Sequence, residues 1–519
     1  MSQSLRVDTI SAPGFYGLNT QDSPLDLNAG FALTAINCVI DQYGRVGARN
    51  GWTKVNSSSG NLGANAVGVI HELVVADGTY TVLFAGNNKL FKLDGSNAVV
   101  ELTYGGGGVA PTITANDWQC ASLSSITYFF QTGHDPLIYD PTVSTTTYRR
   151  VSEKSGYAGT VPQGNICISA YGRLWVANTA ADKQTLTFSD LLAGHIYTGG
   201  TSGTLNINSV WPAGPDEIVG LAAHNGFLII FGKRQILVYQ GATAPATMSL
   251  YDTVIGIGCI SRDSVQATNT DVYFLSNSGV RSIMRTIQEK SAPFRDISKN
   301  VRNDLMGIVA GEVPANIKAV YSEINALYLL TLPTNKSVYA FDTRGYLQDG
   351  SARVTTWTAI EPTALLSRRN GDLLIGKVGY IGRYSGYTDD TSDYRLQYYT
   401  NHSDLGDQNV TSILKRIGVV VIGGTNQFLT IKWGFDFNEN YISQNTQIPT
   451  QSVAEYGVAE YGANGVPVAE YANGIALQTL YAQGSGAGRI VQTGYEADIN
   501  ASALSIQKIE ILSKNGRVT

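Results

Sequence analysis

The feature that most constrains this chain is a recurring local grammar, in which short runs of β-branched and aromatic residues are broken by two or three turn residues. From about Ala66, the runs Val67 to Val75, Tyr80 to Phe84 and Lys89 to Leu93 are separated by Ala76-Asp77-Gly78 and Gly86-Asn87-Asn88. Gly and Asn at those positions supply the positive φ of tight hairpins, so the three runs form one antiparallel meander. Comparable groups recur at Gln119 to Tyr139, Ile166 to Phe188, Glu217 to Tyr239, Ser264 to Met284, Ile317 to Phe341 and Leu365 to Tyr384. In the fourth group, Phe227-Leu228-Ile229-Ile230-Phe231 and Gln235-Ile236-Leu237-Val238-Tyr239 flank Gly232-Lys233-Arg234. A small meander cannot bury both faces, whereas several arranged radially cover one another and leave few exposed edges. The pattern therefore predicts an all-β chain built on a β-propeller of roughly six to eight blades. A large β-sandwich is the structural alternative, and it predicts less regular recurrence.

Composition fits this reading. The chain has 56 glycines and 29 tyrosines in 519 residues, with 43% hydrophobic and 15% charged; that mixture excludes a long coiled coil and a disordered chain. The expected organisation is an extended N-terminal docking segment over 1–65, the propeller over 66–389 and a C-terminal β-rich domain over 390–519. The last is expected from longer runs such as Ser412 to Ile422 and Leu504 to Leu512. Within it, Val453-Ala454-Glu455-Tyr456-Gly457 is repeated from Val458 and echoed from Val468, a Tyr/Gly-rich insertion near 451–474. Tyr456, Tyr461 and Tyr471 are candidate protein-interface residues, since tyrosine offers large contact area with few rotatable bonds; an ordinary insertion is the plainer reading. One helix is expected, capped by Asp296 and carrying Ile297, Val301 and Leu305 on one face.

The chemistry search finds no catalytic or metal constellation. His71-Glu72 lacks the second histidine of a zinc helix and reads as strand, and Gly105 to Gly108 and Gly232-Lys233-Arg234 lack the spacing of a phosphate-binding loop. The adjacent carboxylates Asp389-Asp390 lack the across-substrate geometry of glycoside hydrolysis and read as a polar loop. Arg149 with Arg150, Arg281 with Arg285, and Arg368 with Arg369 are candidate electrostatic contacts for phosphate or acidic partners. The four cysteines are widely separated and read as buried free thiols. The net charge of −5 opposes a general nucleic-acid grip. No apolar stretch suits a signal peptide or a membrane helix, so cytoplasmic synthesis without membrane insertion is expected. No enzyme activity and no cofactor are expected.

The N-terminal stretch is the most distinctive: Pro13-Gly14-Phe15-Tyr16-Gly17-Leu18-Asn19-Thr20, Asp22-Ser23-Pro24-Leu25-Asp26-Leu27, and Ala35-Ile36-Asn37-Cys38 running through Tyr43-Gly44-Arg45 to Ala48-Arg49-Asn50-Gly51-Trp52. Together these segments resemble the start of the tail nozzle or tail tubular proteins of short-tailed, podovirus-like bacteriophages. The resemblance implies a structural virion component of the viral tail, synthesised in the host cytoplasm. It implies a homohexamer ring around a lumen through which double-stranded DNA is retained and then ejected. Partners would be a tail adaptor below the portal, and fibre, spike or distal plug proteins. The opposing reading is a carbohydrate-binding or carbohydrate-cleaving propeller at a host-contact surface, using tyrosine and tryptophan to stack on sugars. A cellular propeller scaffold is a third.

Overall fold

The computed structural model describes residues 5–268, 270–283, 296–404, 410–438, 440–449 and 477–518. The chain forms two units, one of Lys54–Lys336 with Glu361–Tyr384, and one of Met1–Thr53, Ser337–Ile360 and Ser385–Thr519. The first is a β-propeller of six sheets with one further hairpin in its ring, and the second is a β-rich domain of two sheets.

Blade one comprises Val69–Val74, Tyr80–Gly86, Lys89–Leu93 and Val99–Glu101. Its hairpins follow the turn chemistry of the sequence. Asn87 and Asn88 adopt φ of 50° and 54°, the double positive-φ geometry that a two-residue hairpin matching strand twist requires. Blade two runs from Gln119–Leu123 to Thr147–Arg150, and Thr103–Tyr104 joins its outer edge in parallel. Blade three spans Gly164–Ala170 to Gly203–Asn206, blade four Ile218–His224 to Ser249–Ile255, and blade five Gln266–Ala267 to Gly279–Ser282. The hairpin of Lys318–Ser322 and Leu327–Leu332 precedes blade six, which is built on Ala364–Ser367, Leu373–Gly376 and Ile381–Tyr384.

Strand alternation explains why the apolar runs are continuous. In Phe227–Gly232, Leu228 and Ile230 pack with Trp175 and Phe188 of blade three, while Ile229 and Phe231 pack with Val272 and Phe274 of blade five. A period-two strand with both faces covered needs apolar residues at every position. The same logic puts Trp118 and Phe129 between blades one and two, and Phe84, Phe91, Leu374 and Ile381 between blades one and six. That last layer closes the ring, aided by Val55 N donating to Ile381 O at 2.8 Å and Thr363 Oγ1 donating to Val67 O at 2.8 Å.

In the second unit, one sheet runs Leu477–Gln483, Val410–Gly423, Leu504–Val518, Val46–Ala48, Cys38–Ile40, with Leu5–Ser11 paired to Leu504–Val518. The other continues through Gly17–Leu18, Phe31–Ile36, Tyr394–Thr400, Val491–Ile499, Phe428–Phe435 and Ile442–Gln447. Arg49 is wholly buried and fixes the N-terminal segment. It donates to Asn37 Oδ1 at 3.0 Å, Asn50 O at 2.8 Å, Thr358 O at 3.1 Å and both Asp389 oxygens at 2.8 and 2.7 Å. Its guanidinium also lies 4.0 Å from the centre of the Tyr394 ring.

The expected helix begins later than its sequence suggested. Asp296 is drawn into an ion pair with Arg302 at 2.6 Å, and the cap positions of the helical turns that follow are held by Ser298 and Val301. A single 3-10 turn follows at Lys299–Val301, and the helix itself is Arg302–Val309, with Leu305 and Val309 buried. Tyr456, Tyr461, Tyr471 and Arg285 lie outside the described residues.

Candidate functional site

A concave feature of the propeller lies where blade six meets blade one, a groove of about 660 Å³. That volume is within the usual range of small-molecule and oligomer sites. Three turns build it. The tight turn at Asp77-Gly78 ends where Tyr80 begins the second strand of blade one, and Tyr80 stays 61% exposed. The turn after Lys89–Leu93 presents Asp94, whose Oδ1 accepts from Ser96 N at 2.8 Å, Ser96 Oγ at 2.7 Å and Ala98 N at 2.8 Å. Those bonds hold the Asp94 carboxyl below the usual carboxylate range. From blade six, the turn between Ala364–Ser367 and Leu373–Gly376 supplies Arg368, Asn370 and Asp372.

These groups fix one another. Arg368 Nε donates to Glu72 Oε1 at 2.7 Å, and Glu72 Oε2 accepts from Arg369 N at 2.9 Å. The Arg368 guanidinium lies 4.4 Å from the centre of the Tyr80 ring, and its Nη1 lies 3.6 Å from Asp372 Oδ2. Asn370 Nδ2 donates to Asp372 Oδ2 at 2.9 Å. One face of Tyr80 is thereby backed by a cation while the rest of the phenol meets solvent. Lys92 and Arg383 complete the charged lining. An exposed aromatic beside planar carboxylate, amide and guanidinium groups can pack a C–H face and bond adjacent hydroxyls.

A second concavity of about 130 Å³ lies among the inner strands of the propeller. It is crossed by ion pairs: Lys318 Nζ contacts Asp117 Oδ1 at 2.5 Å and Asp263 Oδ2 at 2.6 Å, and Arg262 contacts Asp117 at 2.6 Å and Asp263 at 3.3 Å. Arg262 Nη1 also donates to Asn165 O at 2.7 Å. Two acids and two bases satisfy one another here and tie blades two, three and five to the Lys318 hairpin. The nearby Cys120 thiol is pushed up by burial, which removes its thiolate.

The candidate arginines divide. Arg368 enters the groove, and the Arg369 side chain is exposed. Arg150 is committed to Asp135 at 2.9 Å, Tyr104 at 2.6 Å and Val109 O at 2.8 Å. Arg149 lines a separate small cavity with Asp140 and Lys154. Arg281 is 3% exposed and donates Nε to Ser278 Oγ at 3.0 Å. His71 lies in a strand, with Nε2 2.7 Å from Ser122 Oγ. Asp389 is buried and taken by Arg49, so the pair with Asp390 is neither a hydrolytic dyad nor a solvated loop. Among the described residues no three His, Cys, Asp or Glu side chains gather as a metal site, and no helix is long and apolar enough to cross a membrane. Tyr80, Lys92, Asp94, Asn370, Asp372 and Arg383 carry no sequence motif; ring closure brings them together.

No protein-family model and no curated protein matches the chain. Solved structures similar to it include the extracellular domain of BT4673 from B. thetaiotaomicron, at 12% identity and TM-score 0.40 over 81% of this chain. This chain spans 58% of that one. The WD40 β-propeller domain of Doa1 matches at 12% identity and TM-score 0.37, covering 64% of this chain and 96% of that one. Virginiamycin B lyase from Staphylococcus aureus matches at 8% identity and TM-score 0.35, covering 73% and 99%. None of these three is a phage tail protein. Likenesses of this strength show the propeller fold alone, and none supports the expected tail-nozzle function, which is set aside. The expectation of no enzyme activity is not carried further.

Proposed function

We propose that the propeller binds carbohydrate in the groove between blades six and one. The observation that carries this reading is Tyr80, an exposed phenol held over the Arg368 guanidinium and bordered by Asp94, Asn370 and Asp372. The ring offers an apolar face to the C–H side of a sugar. The carboxylates accept from hydroxyls, and Asn370 both donates and accepts. Arg368 is itself oriented by Glu72, so the platform is set before ligand arrives and less ordering entropy opposes binding.

The test is calorimetric titration of the full chain with neutral hexasaccharides (cellohexaose, maltohexaose, mannohexaose) and with hexagalacturonate, with the chain length of the recovered saccharide read by mass spectrometry. Binding of at least one probe is expected, weakened by about tenfold or more in Tyr80→Ala and in Asp372→Ala. A shortened saccharide assigns cleavage to the same site if Asp372→Ala abolishes it. Binding that survives both substitutions unchanged removes the groove from the account.

A further inference from the structure

A separate concavity of about 280 Å³ lies on the second unit, over the strands Tyr394–Thr400, Val491–Ile499, Phe428–Phe435 and Ile442–Gln447. Register decides which side chains share its face. Leu429 pairs with Ala497 and both are buried, so their neighbours Phe428 and Asp498 point the other way, to solvent. Arg395 lies opposite Asp498, and Thr430 opposite both Glu496 and Asn445. The exposed face therefore carries a half-exposed phenyl ring, a carboxylate, a guanidinium, a hydroxyl and an amide within four adjacent strands.

The polar groups are pre-arranged. Arg395 Nη1 contacts Asp498 Oδ1 at 2.8 Å and Oδ2 at 3.1 Å, while Nη2 contacts Glu496 Oε2 at 2.5 Å. Glu496 is nearly buried and also accepts from Lys432 at 2.9 Å and from the Tyr399 hydroxyl. Asp498 stays 62% exposed and Arg395 46% exposed. At the rim, Gln427 is 8% exposed, its Nε2 bonds Asn500 O and Ser502 O at 3.0 Å each, and its Oε1 has no hydrogen-bond partner among the described residues.

The charges name the ligand class. Arg395 and Lys432 balance Glu496 and Asp498, so neither an anion nor a cation gains net attraction. A neutral polyhydroxylated ring fits instead: its C–H face rests on Phe428, and adjacent hydroxyls bond the side-by-side Asp498 and Arg395. We infer that the second unit carries its own saccharide platform, specific for neutral sugar chains and centred on Phe428, Asp498 and Arg395. It is independent of the propeller groove, because its residues all lie in the other unit.

The test repeats the titration with cellohexaose, maltohexaose and mannohexaose on the full chain and on Tyr80→Ala, Phe428→Ala and Asp498→Asn, each checked for an unchanged far-ultraviolet circular dichroism spectrum and melting curve. Neutral-probe binding that remains in Tyr80→Ala at a lower stoichiometry than in the unaltered chain, and falls about tenfold or more in affinity when Phe428→Ala or Asp498→Asn is added, supports the platform. Hexagalacturonate should not bind Tyr80→Ala. Loss of all binding in Tyr80→Ala, with Phe428→Ala unchanged, overturns the platform and leaves the groove standing. The converse result overturns the groove alone, and no binding of any probe overturns both.

Discussion

Replacing Arg49 by methionine removes all five guanidinium hydrogen bonds while keeping most of the apolar stem. Asp389, only 8% exposed in its side chain, is then left as a buried carboxylate without its bidentate partner. Breaking a buried pair from one side costs about 3–5 kcal/mol, because the surviving charge is uncompensated. Lost stacking on the Tyr394 ring adds roughly 0.5–1 kcal/mol. For a unit of this size, each kcal/mol moves the melting point by roughly 2–4 °C, so Arg49→Met should lower it by roughly 8 °C or more. Replacing both residues, as Arg49→Met with Asp389→Leu, removes the orphan charge together with its partner. The double variant should therefore be more stable than the sum of the two single effects predicts, with a coupling of about 1–3 kcal/mol. Differential scanning calorimetry measures the loss, and hydrogen exchange at Cys38–Ile40 and Tyr394–Thr400 locates it. A drop below about 2 °C for Arg49→Met, or strictly additive single effects, would refute the assignment of Arg49 as the buried staple of this unit.

Phe231→Ala, which empties part of the layer between blades four and five, should cost about 3–5 kcal/mol in denaturant unfolding; a loss under about 1 kcal/mol contradicts the shared-layer packing. The half-buried His71 imidazole, beside Ser122, is pulled down from 6.5 to about 4 by desolvation, partly offset by Glu72. The folded state then binds fewer protons than the unfolded one. This contribution is complete above pH 6.5 and is lost as pH falls toward 4, and His71→Gln should flatten the melting-point slope in that window. The Glu496 carboxyl is held down to about 2 by Tyr399, Lys432 and Arg395, against the burial that opposes them, so its contribution is lost as pH falls from 4.5 toward 2, and Glu496→Gln should remove it. Cys38, Cys167 and Cys259 are buried with their thiols raised by desolvation, and Cys259 sits at about 11. They should resist a thiol-disulfide reagent in the folded protein and react fully in guanidinium, and fast labelling of any of the three in native buffer contradicts their placement.

The blades were legible because each is a local object. Turn residues such as Asn87-Asn88 and Asn225-Gly226 lie between strands adjacent in sequence, and a layer with both faces covered writes itself as an unbroken apolar run. Pairings between distant segments were not legible. Nothing local in Leu5 to Ser11 says that its partner is Leu504–Val518, since alternation reports a strand and its buried face but not its neighbour. For the same reason Asp389 reads as part of a polar loop, and nothing local in the sequence names Arg49 as its partner. Asp296 looked like a helix cap because caps are drawn from its residue type, and the competing Arg302 is visible only in three dimensions. The groove was the least legible feature. Tyr80 and Arg368 are separated by most of the propeller, and only ring closure places one over the other.

The most direct measurement is a crystal structure of the full chain with the tightest-binding hexasaccharide from the titration. Ordered sugar rings are expected over the exposed face of Tyr80, with hydroxyls within hydrogen-bonding distance of Asp372, Asn370 or Asp94. Saccharide bound elsewhere on the propeller, with Tyr80 still facing solvent, would contradict the proposed groove.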